Sequence, residues 1–394
     1  MEGKTRVDST AYPFPTPPNR FDQKNEMFKR SVWDETMRPH AKGFYEEVVF
    51  LEKVGYRKQD YALRNAAWNL EWGFALGNSR SNSGLYAWEG VAQKIKRFVD
   101  AGGQVKTSPK EMSLTVKKAA RFLGADLVGI CRAHPNWVYS HEFNLLTREH
   151  NTIDLPEGCS TAVVMAVAMD YHAIRSSPTG VAGAATGLGY SKMALVANLL
   201  ATFIRGLGYR AIPCGNDTAL SIPLAMAAGL GEGSRMGLLI TERYGPRVRL
   251  CKVFTDLPLQ PDSYHPIGAM EFCRTCNKCA HHCPSRAIPL GEMTTEGPNI
   301  SNQSGIPKWY VDGEKCFAFW GKNHMDCSNC IRVCPYNKMP GFIHTAVRFV
   351  IRHKPRPTHS SSGWTVFWDT TNPAQPRISG DTTGPSPVIK LSLF

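Results

Sequence analysis

Eight of the twelve cysteines in this 394-residue chain lie between positions 273 and 334. No other feature restricts the fold so tightly. The run Cys273-Arg-Thr-Cys276-Asn-Lys-Cys279-Ala-His-His-Cys283-Pro284 has the C-x2-C-x2-C-x3-C-P spacing of two-cluster ferredoxins. A second run, Cys327-Ser-Asn-Cys330-Ile-Arg-Val-Cys334-Pro335, comes later, with Cys316 between the two. Three closely spaced thiolates wrap one corner of an iron–sulfur cube, and the cysteine before proline turns to the other cube. The spacing assigns Cys273, Cys276, Cys279 and Cys334 to one [4Fe–4S] cluster. Cys283, Cys316, Cys327 and Cys330 form the second set. Four-cysteine zinc sites use paired C-x2-C spacing without a third cysteine or C-P endings. Disulfide frameworks belong to short secreted chains. His281 and His282 read as neighbours of the clusters, not ligands.

The length admits two or three domains. The formal charge is +13, and two oxidised clusters of about −2 each lower it without reversing it. A basic surface suits nucleic acid, anionic lipid or a negatively charged electron donor. The basic residues are scattered, with small groupings at 94–97 and 348–356, which favours a solvated surface over a dedicated site. No apolar run reaches the length of a membrane span; the longest, 161–169, suits a buried strand. Residues 1–20 hold no apolar signal segment and no twin arginine. That leaves a cytoplasmic protein or a mature form that has lost a leader.

The pattern divides the chain into four segments: 1–107, 108–265, 266–341 and 342–394. Residues 1–40, rich in proline and charge, read as an extended arm. Phe44, Tyr45, Phe50, Tyr56, Tyr61, Trp68, Trp72 and Phe74 read as packing residues on helices. Tyr86 and Trp88 sit in a glycine- and serine-rich turn and are candidates for either a pocket wall or core. From 108 the pattern is α/β. Helical periodicity covers 109–123, with Met112, Val116, Ala119, Ala120 and Leu123 on one face. Strands are expected over 126–131, 160–169 and 210–213. A helix over 190–205 buries Met193, Val196, Ala197, Leu200, Phe203 and Ile204 and ends at Gly206 and Gly208. Another covers 221–228, with Pro223 in its first turn. Residues 236–241 and 247–254 suggest a hairpin across 242–246. The tail combines a helix over 342–352 with a Pro/Gly/Ser/Thr-rich stretch, whose Trp364, Phe367 and Trp368 should pack back on the body.

Residues 171–190 read as a small-residue loop entering a helix, where backbone can approach a large ligand closely. The loop lacks G-x-G-x-x-G, which argues against a dinucleotide. Tyr190 at the helix entrance is either an acid or a hydrogen-bonded packing tyrosine. Asn216-Asp217-Thr218 resembles a capping turn before a helix. One of Arg247 and Arg249 should face inward, where a guanidinium needs an anion or dipole partner. Cys131, Cys159, Cys214 and Cys251 adjoin apolar strands and read as small buried residues.

The motifs occur in a distinctive order. Gly187-Leu-Gly-Tyr190-Ser-Lys-Met193 precedes Asn216-Asp-Thr-Ala-Leu-Ser221. Lys252-Val-Phe-Thr-Asp-Leu-Pro258 then precedes Glu271-Phe-Cys273 and the two cysteine runs. This order resembles that of corrinoid-dependent reductive dehalogenases of the respiratory type, closely over 110–340 and loosely at the ends. The resemblance implies an α+β fold, with a nitroreductase-like core over 108–265 binding base-off cobalamin and a ferredoxin-like two-[4Fe–4S] module covering it. By position, Tyr190 matches the catalytic tyrosine, Asn216 the active-site asparagine and Arg249 the cation beside the tyrosine. Thr186 and Trp320 resemble pocket-wall positions, joined by Tyr86 and Trp88. Ser191, Lys192, Met193, Thr218, Ala219 and Leu220 are the expected cobalamin contacts.

The implied reaction converts a small chlorinated alkane or alkene, two electrons and a proton into the dehalogenated product and halide. The implied partners are a low-potential electron donor and a small membrane-anchor subunit, with no nucleic acid; a homodimer is compatible. The implied location is the outer face of the bacterial cytoplasmic membrane, after removal of a twin-arginine leader, or the cytoplasm if no leader exists. One rival is epoxyqueuosine reductase, a cobalamin enzyme acting on tRNA, whose loop resembles Gly-Leu-Gly-Trp-x-Gly-Lys-Asn; Tyr190 and the missing glycine favour the dehalogenase. A non-catalytic two-cluster electron carrier is the other, and it leaves some 270 residues before the clusters without a purpose.

Overall fold

The computed structural model describes residues 13–75, 84–89 and 93–339, with residues 341, 344 and 349 beyond them. The chain divides into two compact units, Met1–Pro355 and Arg356–Phe394. Segments 1–107, 108–265 and 266–341 thus share one unit. Trp364, Phe367, Trp368 and most of the expected helix over 342–352 lie outside the described residues.

Four strands make the central sheet: β1 (Leu127–Arg132), β2 (Thr161–Ala168), β3 (Ala211–Cys214) and β4 (Val248–Thr255). Their order is β1-β2-β4-β3, and every pairing is antiparallel. Strand side chains alternate between faces. Val163, Met165 and Val167 of β2 enter one core, while Ala162, Val164 and Ala166 enter another on the opposite face. Both faces are covered, which explains why β2 is apolar throughout. The first core is closed by α2 (Pro109–Phe122) and α3 (Gly180–Gly206), the second by α4 (Ser221–Ala227) and Trp137. Ser108 caps α2, its side chain accepting from the Glu111 amide, with Pro109 opening the helix. Truncating Met165, which is fully buried, would cost about 2–5 kcal/mol. The layering is α+β.

Four sequence expectations change. The small-residue run before Tyr190 is not a loop: it forms the first turns of the 27-residue α3. Its glycines allow close packing. A Cβ on Gly187 would come within 2.2 Å of the Trp68 ring, and one on Gly189 within 2.9 Å of Arg249 Cγ. By length and hydropathy α3 would also pass for a membrane span, although no run of the sequence suggested one; 56% of its most apolar window is buried in the protein. The hairpin is also different. Leu239–Ile240 pairs with Glu232–Gly233, whereas β4 joins the central sheet between β2 and β3. Asn216-Asp217-Thr218 does not cap α4, which begins after Leu220 without a side-chain cap. The arm is helical over Met27–Trp33 and Arg38–Ala41, and Arg30 anchors it through Asp34 and Glu314.

A further helix, α1 (Lys58–Phe74), packs along α3. The cysteine module is built from short helices: Ala269–Thr275, Lys278–His281, Gly313–Asn323 and Asn329–Val333. It is fastened to the core by polar contacts. Arg64 of α1 faces Asp326 at 3.5 Å, both nearly fully buried. Arg332 Nη1 donates to the Ser177 carbonyl, and the Ser328 amide donates to Ser177 Oγ.

Candidate functional site

A cavity of about 990 Å³ separates the core from the cysteine module. One wall carries Thr186, Tyr190, Asn216 and Arg249; the facing wall carries Cys283, Cys316, Cys327, Cys330 and Trp320. The helical period explains part of this choice. Thr186 and Tyr190 are four residues apart on α3 and share a face. Ser191, Lys192 and Met193 rotate away by about 100° per residue. Ser191 Oγ instead donates to the Ala67 carbonyl, tying α3 to α1. Lys192 faces a separate cleft beside Arg243 and Arg247, and Met193 is core. Thr218 and Ala219 are buried behind the turn, and Leu220 packs in the second core, so none of these six expected contacts lines the cavity. Tyr86 does line it, buried to 4% exposure, whereas Trp88 packs against the second core.

Tyr190 is held from three directions. Trp68 of α1 stacks on its ring at 4.8 Å, and the Arg249 guanidinium lies 4.9 Å from the ring centroid. Asn216 Nδ2 donates to the phenol oxygen at 3.0 Å. The phenol oxygen is therefore an acceptor for Asn216, and its own proton remains available to the cavity. Burial pushes the tyrosine pKa up, Arg249 and Asn216 pull it down, and Glu71 pushes it up again. A positive charge and a hydrogen bond aimed at the oxygen favour the tyrosinate that proton donation leaves.

The turn carrying Asn216 is set from below. Lys252 of β4 is fully buried, and its ammonium donates to the carbonyls of Gly215 and Ala219 and to Ser221 Oγ. Asp217 accepts from the Gly215 amide and the Thr218 hydroxyl, and Thr218 adopts φ +69°. Tyr139 Oη donates to the Asn216 carbonyl. In the sequence Lys252 opens the Lys252–Pro258 motif but carries no assigned role, because a lysine inside a strand pattern does not by itself announce burial. Arg247 and Arg249 are both in use: Arg247 bonds Asn337 and the Met169 carbonyl, and Arg249 faces Tyr190. Glu71, one turn after Trp68 on α1, also lines the cavity, and burial pushes its carboxyl up to about 8, aided by Asp217. Sequence reading treated α1 as packing only; nothing in its weak periodicity marked the Trp68 and Glu71 face.

Cys334 lies beside Cys273, Cys276 and Cys279, and Cys316 beside Cys327 and Cys283. Burial raises each pKa of the first three of one set, and Cys334, also buried, is raised further by Cys273, Cys276 and Cys279. Cys330 faces Cys327, Cys316 and Cys283, with Cys279 of the other set also near. None of the eight forms a disulfide. Amide protons point at sulfur: Ala287 N to Cys283 at 3.4 Å and Asn329 N to Cys327 at 3.5 Å. Buried and half-buried thiols with N–H···S bonds fit iron–sulfur ligation. Arg235, missed in the sequence, is fully buried beside the first set, and its guanidinium donates to the carbonyls of Cys273, Arg274, Pro289 and Gly291. His281 and His282 are exposed, and Cys131, Cys159, Cys214 and Cys251 are buried among apolar residues.

The cavity also suits a large organic group with polar edges. Trp320 Nε1, Asn329 Oδ1 and Arg249 Nε are buried on its lining without hydrogen-bond partners. Such atoms are costly unless a ligand satisfies them.

Comparison with known proteins agrees with this layout. Residues 272–338 match the 4Fe-4S dicluster domain. The fold is similar to that of a catabolic reductive dehalogenase solved with 3-bromo-4-hydroxybenzoic acid (TM-score 0.66, 24% identity), over 90% of this chain and 46% of that one. It is also similar to a reductive dehalogenase whose structure concerns B12-dependent dehalogenation (TM-score 0.57, 24% identity, 70% and 40%). The chain thus spans less than half the length of either solved protein. A tetrachloroethene reductive dehalogenase of Sulfurospirillum multivorans is 35% identical over 374 residues, 87% of this chain and 74% of that protein. Identity of that extent, running through both the Tyr190 wall and the cysteine module, places this chain in the reductive dehalogenase family.

Proposed function

We propose that the chain reduces small chlorinated alkanes or alkenes, replacing halogen by hydrogen: R–X, two electrons and a proton give R–H and X⁻. The carrying observation is the Tyr190 phenol, hydrogen-bonded by Asn216 and backed by Arg249, facing the second thiol set across one cavity. Supporting the substrate class are a tetrachloroethene reductive dehalogenase among the relatives and an aromatic cluster of Phe28, Phe44, Tyr45, Trp68 and Trp320 on the lining. Apolar walls admit a halocarbon and exclude water.

Cys273, Cys276, Cys279 and Cys334 would hold one cluster, with Cys283, Cys316, Cys327 and Cys330 holding the cluster that borders the cavity. Trp320 and Asn329 offer polar atoms to a base-off corrinoid between the walls. When bound and reduced, that cofactor supplies the electrons that break the carbon–halogen bond. Tyr190 gives its proton to carbon, Arg249 holds the resulting tyrosinate, and Asn216 keeps the phenol oriented. In the cell, a low-potential donor and a small membrane-anchor subunit would complete the system on the outer face of the cytoplasmic membrane.

The reduced, corrinoid-loaded protein, incubated with tetrachloroethene, chlorinated alkanes and, separately, epoxyqueuosine tRNA, is expected to release chloride from at least one halocarbon and to leave the tRNA unchanged. Reduction of the tRNA with no halide from any halocarbon overturns the assignment.

A further inference from the structure

We infer that Asp22, His141 and His150 form a divalent-cation site of the zinc class at the rim of the cavity. The two histidines stand on a small antiparallel ribbon, His141–Phe143 against His150–Thr152. His141 pairs with Thr152 and Phe143 with His150, so the imidazoles are diagonal neighbours on one face. Asp22 lies on the next extended segment, bridged in parallel to His141. Three donors thus come from three adjacent segments.

Their geometry converges on one point. Both carboxylate oxygens of Asp22 lie 3.0 Å from His150 Nε2, and Oδ2 is 4.0 Å from His141 Nδ1. The imidazole rings are 4.7 Å apart, and one ligand atom from each residue falls within 4.8 Å of the others. Ligands of tetrahedral zinc at 2.0–2.2 Å stand roughly 3.3 Å from one another, so side-chain rotation alone closes the site. Asp22 and His141 are half-buried and His150 is exposed, with side chains 28–36% accessible. The Lys24 amide donates to Asp22 Oδ1 at 2.9 Å and fixes the carboxylate. A simple His–Asp hydrogen bond would use His150 alone; the second imidazole, whose Nδ1 meets Ser140 Oγ at 3.0 Å and lies 4.0 Å from the same carboxylate, needs only to exchange the hydroxyl for the cation to complete a two-nitrogen, one-oxygen donor set suited to zinc, with water in the fourth position.

The position gives the site a consequence. Glu142, Phe143, Glu149 and Asn151 of the same ribbon line the cavity. A cation held by Asp22 would clamp the N-terminal arm to this lip, independently of what reaction occurs inside.

The test uses the protein with its clusters in place, stripped with EDTA, desalted and titrated with zinc chloride. One zinc per chain is expected, with iron content unchanged and a rise in melting temperature. X-ray absorption at the zinc edge should show only nitrogen and oxygen neighbours, including imidazole. His141→Ala should weaken binding by about ten-fold or more. His150→Gln, which keeps a hydrogen bond to Asp22, should do the same, and the double variant should bind none while retaining its iron. Zinc uptake by the double variant equal to that of the parent, sulfur in the zinc shell, or no uptake by the parent overturns the site.

Discussion

Tyr190 reaches the cavity from a 27-residue helix packed on the central sheet, whereas Cys316 and Cys330 reach it from helices of eleven and five residues, Cys327 from the turn between them and Cys283 from the turn after Lys278–His281. On the first wall every positioning contact is protein to protein: Trp68 stacks, Asn216 and Arg249 converge, and Lys252 sets the turn beneath. That arrangement is complete once the chain folds. On the second wall Cys316, Cys327 and Cys330 are made harder to ionise first by burial and then by neighbouring thiols. Only a bound metal resolves that conflict, because thiolate ligation neutralises what burial penalises. One wall is preorganised by packing; the other is organised by what it binds.

The largest effect should come from breaking the metal-dependent wall. Cys316→Ala removes the one ligand outside both compact runs. Iron should fall from about eight to about four per chain, and turnover should vanish while the signal of the other cluster persists on reduction. An unchanged iron count and paramagnetic spectrum would show that another residue serves as ligand.

The packed wall should behave in the opposite way, losing chemistry and keeping structure. Tyr190→Phe retains the ring on Trp68 and removes only the hydroxyl. Turnover is expected to drop by about 10²–10⁴-fold, the usual share of general acid catalysis, with iron and corrinoid content intact. Arg249→Leu should cause a loss of similar size, and the double variant should be little worse than either. Multiplicative losses would mean that the two residues act separately, and near-normal turnover would remove Tyr190 from the mechanism.

A smaller effect should come from loosening the support beneath. Lys252→Met leaves the Gly215 and Ala219 carbonyls without their donor, so Asn216 shifts. A misplacement of this kind costs up to about 10²-fold in turnover. In a Tyr190→Phe background the same change should add little, since the phenol it positions is already gone. An equal loss in both backgrounds would point to general destabilisation.

Glu71 gives the smallest and most graded test. Its folded pKa of about 8 lies above the ordinary 4.5, chiefly through burial. The protonated form is favoured in the folded state. Its contribution to stability is full below about 4.5 and is lost as pH rises through about 8. Glu71→Gln should therefore flatten the decline in melting temperature across that window. A profile parallel to the parent protein would show that the carboxyl is already ionised in the fold.

How much of this was legible in the chain differs between the walls. Thiolate ligation depends on local spacing, so the spacing alone sorts the cysteines from Cys273 to Cys334 into two sets. The strands were legible as well, because β2 is apolar on both faces. Tyr190, Asn216 and Arg249 were marked by resemblance, yet their neighbours in sequence, Ser191 to Met193 and Thr218 to Leu220, were poor guides to the cavity. A helix turns each successive residue about 100° away, and a turn buries the residues beyond its exposed tip. The glycines of α3 look like loop residues in the sequence, which shows their small size but not the Trp68 ring and Arg249 stem that need it.

The sequence by itself determined the cysteine spacing of the cluster module and the periodic faces that build the core, because each depends on residues near one another along the chain; the α+β class came from resemblance, and the antiparallel pairing behind it joins distant segments. The tertiary structure alone decided which side chains meet. Lys252 and Arg235 became clamps on backbone carbonyls, and Trp68 and Glu71 of a nondescript helix came to face Tyr190. These contacts join segments tens to more than a hundred residues apart, and no local preference encodes them; the packing of α1 on α3, and of the central sheet behind both, brings them into one place.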